Sequence, residues 1–214
     1  EVPAGEMPGV GRRVSFMAPT GHRFDLFAEI ELSQNGPMTN NPDVCQQDPR
    51  GMKALRFDHC LLYGGDIDGT KKVFEEVLGF SVSEVVVDDD TGMLIAIFLT
   101  CSNKAHDLAL VRHEEDGKLH HVSFLVEDWT SLRDAADIMT RYNVSRDIGP
   151  TRHGITRGQT IYFFDPSGKR SEVFCGGDYT YPDHPVVTWD ADKLGKAIFY
   201  HDRVLNERFL TALT

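Results

Sequence analysis

The apolar residues of this chain fall mostly into short β-like runs divided by turns, and two longer stretches carry helical spacing. Residues 57–83 (FDHCLLYGGDIDGTKKVFEEVLGFSVS) and 119–145 (LHHVSFLVEDWTSLRDAADIMTRYNVS) are equal in length and alike in pattern. Each opens with a strand and passes into an amphipathic helix. Val73, Phe74, Val77 and Leu78 make the apolar stripe of the first helix, with Gly79 as its C-terminal cap. Leu132, Ala135, Ala136 and Met139 make that of the second, with Asp128 or Thr130 as N-cap. Three strand-like runs follow each helix: 81–88, 93–100 and 106–112, then 144–149, 159–164 and 170–175. The pattern predicts an α+β fold of two βαβββ modules in tandem, 55–116 and 117–177, related by an internal pseudo-twofold.

A second repeat precedes them. Residues 12–27 (RRVSFMAPTGHRFDLF) lie beside 159–174 (QTIYFFDPSGKRSEVF) without a gap, so Pro19 falls on Pro166, Gly21 on Gly168 and Asp25 on Glu172. Residues 1–32 therefore read as the last hairpin of a module whose earlier strands are absent, and the chain as one piece of a longer protein. A two-stranded hairpin is marginal alone and must pack on something. Residues 33–54, rich in Asn, Gln, Pro and Asp, read as a linker to a domain spanning 55–214. The tail 178–214 contains Tyr179, Tyr181, Pro182 and Pro185 and ends with helical spacing, expected to cover a sheet edge or a neighbouring subunit.

Within Pro150–Gly177 the strands flanking Asp165-Pro166-Ser167-Gly168 place Glu172 in an apolar setting beside Val173 and Phe174. A buried carboxylate needs a cation, and the residues leave open whether that is an arginine or a metal. The repeat lays His59 on His121, so two imidazoles sit at equivalent points about the pseudo-axis. With Glu172 they would make a two-histidine, one-carboxylate set with open positions. The plainer reading is two core histidines and a glutamate paired with Arg170 or Lys169. His106, His153 and Tyr162 are polar candidates around such a centre. His120 is expected to face away from His121 and Asp25 to be structural. His22, His113 and His184 are assigned to the surface, and His201 to an ion pair or interface. GPTRHGITRG lacks the glycine spacing of a phosphate loop, and no GxSxG elbow is present.

Composition narrows the partners. A net charge of -11 over 214 residues argues against nucleic acid or an anionic membrane, and no apolar run approaches a membrane span. Cys45, Cys60, Cys101 and Cys175 form no CxxC pair, which favours reduced thiols in a cytoplasmic protein. Glu1 is followed by no charged and apolar leader, so no signal peptide is expected.

The run Thr151-Arg152-His153, then Ile161-Tyr162, Asp165-Pro166-Ser167-Gly168 and Glu172 resembles the signature of extradiol ring-cleavage dioxygenases of the vicinal-oxygen-chelate superfamily. FDHCLLYG, KLHHVSF, YFFDPSGKRSEVFCGGDYTYPD and LGKAIFYHDRVLNERF are similar to the catechol 2,3-dioxygenases among them. The resemblance covers essentially the whole chain. It implies paired modules forming an open barrel around Fe(II), with most of the family's N-terminal domain missing here and possibly supplied by another fragment. It implies His59, His121 and Glu172 as iron ligands, and His106, His153 and Tyr162 as catalytic groups beside them. It suggests Phe98, Ile155, Thr156, Ile198 and Phe209 as lining of an aromatic pocket. The implied activity is O2-dependent meta cleavage of catechols to 2-hydroxymuconate semialdehyde, in a homotetramer. A glyoxalase-like isomerase using Zn or Ni and a metal-free binding module of the antibiotic-resistance kind are the alternatives.

Overall fold

The computed structural model describes residues 1–32, 40, 51–181 and 183–213. Most of the predicted linker, Cys45 and Pro182 lie outside the described residues. Strands β1 (Arg13–Met17) and β2 (Arg23–Phe27) form an antiparallel hairpin. Then come β3 (Arg56–Gly64), α1 (Ile67–Glu76), β4 (Ser81–Val87), β5 (Leu94–Thr100) and β6 (Leu108–Arg112). The succession repeats as β7 (Lys118–Leu125), α2 (Trp129–Arg141), β8 (Ser145–Arg152), β9 (Gly158–Phe164) and β10 (Arg170–Gly176). Strand β11 (Val187–Asp190) and the short helices α3 (Leu194–Ile198) and α4 (Glu207–Thr211) complete the chain. The fold is α+β.

Strands β3 to β11 form one open nine-stranded sheet in the order β11-β4-β5-β6-β3-β7-β10-β9-β8. Its centre is the antiparallel β3–β7 pair, flanked by the parallel pairs β3–β6 and β7–β10. The register carries the predicted symmetry. Phe57 pairs with Phe124 and Leu62 with Leu119, while His59 pairs with Ser123 and Leu61 with His121. Overlaying 57–83 on 119–145 exchanges these pairs, so the pseudo-axis passes through the Cys60–Val122 pair. The register slips twice, once at Asp58 and once at His120, each an extra residue bulging from its strand. A bulge re-aims a side chain, and these two residues are symmetry mates.

The helices cover one face of each half. Asp66 caps α1, its Oδ1 accepting from Gly69 N–H at 2.8 Å, and Asp128 caps α2 by accepting from Ser131 N–H at 2.8 Å. Phe74 and Ile67 pack on Ile97, Leu99 and Leu110, whereas Leu132, Ala135 and Met139 pack on Ile161 and Val173. Each large side chain so buried contributes about 1.5–3 kcal/mol. The β1–β2 hairpin docks on the first half. Phe24 meets Phe74 edge-on at 5.2 Å, and Thr20 N–H donates to Thr70 Oγ1 at 3.2 Å. Asp25 is taken up by Arg13 at 2.9 Å and Arg23 at 3.1 Å.

Several expectations change. Helix α1 stops at Glu76, so Val77 is 75% exposed rather than on the buried stripe. The turn is still made by Gly79, whose φ of +73° brings Phe80 N–H to Phe74 C=O at 3.0 Å. Strand β8 runs on to Arg152, and β6 begins only at Leu108, leaving His106 on the preceding loop. The tail adds the edge strand β11, parallel to β4, whose four residues carry too little pattern to be read from sequence. Its helical end packs α3 against the edge strand β11 and also brings Ile198 and Phe209 to the cavity. His22, His113 and His184 are half-buried, not surface residues. His22 bonds Thr20 Oγ1 at 3.1 Å and Lys118 C=O at 3.0 Å. His201 is exposed beside Tyr200. No described helix is long and apolar enough to cross a membrane.

Arg170 settles where one candidate cation goes. It is fully buried, bonds Asp147 at 3.0 Å, and donates to the carbonyls of Ala212 at 3.2 Å and Arg208 at 3.4 Å. Its guanidinium also lies 5.3 Å from the Phe164 ring and 5.1 Å from the Phe209 ring. Arg170 thus fastens α4 and does not pair with Glu172. Replacing Arg170 with Met is expected to cost about 3–5 kcal/mol, because it leaves the buried Asp147 carboxylate with only the exposed Arg208, 3.1 Å away, as its cation. Denaturant titration checks this; a loss below about 1 kcal/mol would sink this account of α4.

Candidate functional site

His59 from β3, His121 from β7 and Glu172 from β10 converge near the pseudo-axis, their ligand atoms all within 4.8 Å of one another. All three are buried. The strand pattern explains the convergence. Central strands β3 and β7 carry the symmetry-related histidines, and parallel β10 sets Glu172 across from Ser123, itself the partner of His59. In the β9–β10 register Glu172 lies directly opposite Tyr162 and Phe174 opposite Thr160. Those four side chains therefore share one face of the sheet.

The hydrogen bonds fix the tautomers. Asp58 Oδ2 accepts from His59 Nδ1–H at 3.0 Å, which leaves the Nε2 lone pair of His59 for the centre. Phe209 C=O, an acceptor only, takes the Nε2 proton of His120 at 3.0 Å. His120 Nδ1 must then accept, at 2.6 Å, from Nδ1–H of His121. His121 Nε2 is left with its lone pair. The two bulge residues, Asp58 and His120, thus orient the two histidines that follow them. His120 is more than the inert neighbour its alternate position suggests. The signal was present in the repeat, which lays Asp58 on His120.

At the meeting point, His59 Nε2 is 3.0 Å and His121 Nε2 3.4 Å from Glu172 Oε2. Glu172 Oε2 and His121 Nε2 are nonetheless buried atoms with no hydrogen-bond partner among the described residues. Two imidazole lone pairs and a carboxylate oxygen aimed at one point are an acceptor set without a donor, which a divalent cation satisfies. The other oxygen, Oε1, accepts from Thr160 Oγ1. The charges agree. Burial pushes the Glu172 carboxyl up, but His121, His153 and His59 outweigh it and hold it well below the usual range. Burial, partly offset by Glu172, brings His121 down to about 4. Burial also lowers His59, yet Asp58 and Glu172 raise it overall.

The three remaining polar candidates surround this set. His153, just past β8, donates from Nδ1 to Ile198 C=O at 2.5 Å, so its Nε2 accepts from Tyr162 O–H at 2.9 Å. That Nε2 is 3.7 Å from Glu172 Oε1. The His106 ring lies 4.0 Å from that of His59 and 5.1 Å from Phe98, and its buried Nδ1 has no partner among the described residues. Burial, then the charge of His59, hold His106 well below 6.5, so it is neutral at neutral pH. Burial, followed by Glu172, keeps the Tyr162 hydroxyl protonated.

These groups open into a cavity of about 380 Å³. Phe98, Ile155, Thr156, Ile198 and Phe209 all line it, as the resemblance suggests. Leu61, Leu125, Val126 and Phe174 line it too and were not singled out; only Phe174, two residues from Glu172 on one strand, carried a readable signal. Lys104, at the wall, donates to Asp58 C=O and pairs with Asp107 at 2.6 Å, so that cation is committed. Asp58→Asn is expected to weaken divalent-metal affinity roughly 10–100-fold, since a neutral partner holds the His59 tautomer less firmly. Metal titration of the apo protein checks this, and an unchanged affinity would count against the orienting role.

Similarity to known proteins agrees with this geometry. A profile of the Glyoxalase/Bleomycin resistance protein/Dioxygenase superfamily matches residues 56–173, and one of the catechol 2,3-dioxygenase-like N-terminal domain matches residues 1–31. Metapyrocatechase of Pseudomonas sp. (strain CF600) is 57% identical over 214 residues, covering 100% of this chain and 69% of that protein. A manganese-dependent 2,3-dihydroxybiphenyl 1,2-dioxygenase of Geobacillus genomosp. 3 is 24% identical, covering 92% of this chain and 64% of the relative. The crystal structure of the 2,3-dioxygenase LapB from Pseudomonas sp. KL28 superposes with a TM-score of 0.85 at 48% identity, covering 89% of this chain and 67% of that one. The chain belongs to the glyoxalase/bleomycin resistance protein/dioxygenase superfamily, on its extradiol dioxygenase branch.

Proposed function

We propose that this chain carries the catalytic half of a catechol 2,3-dioxygenase, cleaving catechols by O2 beside the diol to 2-hydroxymuconate semialdehyde. Residues 1–32 are read as the end of its N-terminal domain. The observation that carries the proposal is the buried acceptor set of His59, His121 and Glu172 at the floor of an apolar cavity. His59, His121 and Glu172 would hold Fe(II), the favoured ion for two imidazoles and one carboxylate with open positions. When bound, that ion supplies a common site for both diol oxygens and O2 and a path for electron density between them.

The protein's own groups supply the rest. Phe98, Ile155, Ile198 and Phe209 give a slot that takes a flat ring and sheds water. His121 offers its lone pair without a proton transfer, whereas His59, whose protonated form Asp58 and Glu172 favour, would release a proton as the cation binds. His153 is the middle of a chain from Tyr162 O–H to Ile198 C=O, and when Tyr162 turns its proton toward a bound oxygen, His153 Nε2 is freed to take the proton of a diol hydroxyl. Tyr162, protonated, can then donate to the resulting oxygen. His106 stays neutral and unpaired at Nδ1, a group free to hydrogen-bond an oxygen species and pass it a proton. A manganese ion in the same ligands is the second reading, supported by the manganese-dependent relative.

Metal analysis followed by oxygen uptake with catechol under reducing conditions tests the function. One equivalent of iron, stoichiometric O2 consumption and a yellow product are expected. Metal-loaded protein that consumes no O2 with catechol would overturn it, and activity restored by Mn(II) but not Fe(II) would move the metal assignment. His106→Phe is expected to lower kcat by about 10²–10⁴-fold with metal content intact. A rate that does not change would remove His106 from proton transfer. Glu172→Gln is expected to abolish stoichiometric metal binding, read by elemental analysis after desalting.

A further inference from the structure

Behind the cavity wall lies a buried carboxylate that the proposed chemistry does not use. Glu84, on β4, is 3% exposed. Its Oε1 accepts from Thr156 N–H at 2.7 Å and faces Arg157 at 3.4 Å, while its Oε2 accepts from Trp189 Nε1–H at 2.7 Å. Every partner is a donor, so both oxygens are required as acceptors.

The segment it holds is unusual. Thr156 and Arg157 have φ of +56° and +57°, a region that side-chain-bearing residues disfavour. Such a conformation persists only where the surroundings over-determine it. On its other side the segment hangs from the tail: Gly154 N–H and Ile155 N–H both donate to Ala197 C=O at 2.8 Å. Gly154 permits that approach, since a Cβ there would stand 2.5 Å from Lys196 C=O. Trp189 belongs to β11 of the same tail, so one carboxylate ties strand β4, the 153–157 loop and the tail together. The loop is also what presents Ile155 and Thr156 to the cavity and leads from His153.

We propose that Glu84 is the positioning residue of the ring-binding wall: its two-oxygen grip on Thr156 and Trp189 holds the left-handed turn that sets Ile155 and Thr156 against the substrate ring. This rests on the proposed dioxygenase reading for the substrate, but not for the grip itself. In the full chain, Glu84→Gln presents one acceptor and one NH2 group to two buried donors, so either Thr156 or Trp189 loses its bond. Hydrogen exchange across 153–158 is expected to rise roughly tenfold, as expected for the loss of one buried charge-assisted bond. KM for catechol is expected to rise roughly tenfold and kcat to fall less than about threefold, with metal content unchanged.

The double change Glu84→Gln with Trp189→Phe removes the competing donor and frees the amide oxygen for Thr156 N–H. It is expected to return KM and exchange toward the unaltered chain. A merely structural role for Glu84 predicts the opposite, with the second substitution adding damage, and that result would overturn the proposal. If Glu84→Gln does not fold, exchange in the unaltered chain decides: the Thr156 amide is expected to be protected like the β9 amides, and exchange as fast as the exposed 167–169 turn would refute the grip. Failure of the unaltered, metal-loaded chain to act on catechol would sink the dioxygenase reading instead, while the exchange measurements still judge Glu84.

Discussion

The structure depends on a carboxylate kept ionised away from bulk solvent. Glu172 lies 1% exposed among aromatic and aliphatic side chains, at a cost of several kcal/mol unless compensated. The described residues compensate only one of its oxygens fully, through Thr160. The other is faced by two imidazoles whose protons have been drawn to the far ring nitrogens by Asp58 and His120. Sheet register, bulges and second-sphere hydrogen bonds all serve this one arrangement. That concentration of unmatched polarity at a single point is what separates a functional centre from a packing core.

The central strand pair shows how a symmetric scaffold builds it. Each half contributes a bulge and a histidine at equivalent places, yet the orienting groups differ: an anion behind His59, a neutral ring behind His121. The C-terminal tail then closes the face. The Ile198 carbonyl fixes His153, the Phe209 carbonyl fixes His120, and Arg170 fastens the helix that carries Phe209. Residues far apart in sequence are thereby made to share one proton arrangement.

Much of this was legible in the sequence because it rests on local periodicity. The two βαβββ units, the α2 stripe, the terminal hairpin and the His59–His121 equivalence follow from patterns repeated at fixed offsets. The family signature then ties His153, Tyr162 and Glu172 to one site. What was not legible depends on register and long-range closure. That Asp58 turns inward follows from a bulge defined only by its partner strand. That Arg170 serves Asp147 follows from where β8 and α4 end up. Strand β11 exists because β4 offers an open edge, and Glu84 matters because of an amide 72 residues away. Val77 failed for a simpler reason: apolar spacing continued past the point where the helix stopped.

The pseudo-twofold also has a charge consequence. In the first half, the position facing Leu61 as Glu172 faces Ser123 is occupied by Ala109, so duplication did not duplicate the acid. A divalent ion held by two neutral rings and one carboxylate would keep one uncancelled positive charge, in a medium that penalises net charge. The ligand that would balance that charge is a singly charged anion, such as a diol that has lost one proton and kept the other. A second acid at residue 109 would have made the centre neutral and indifferent to that distinction.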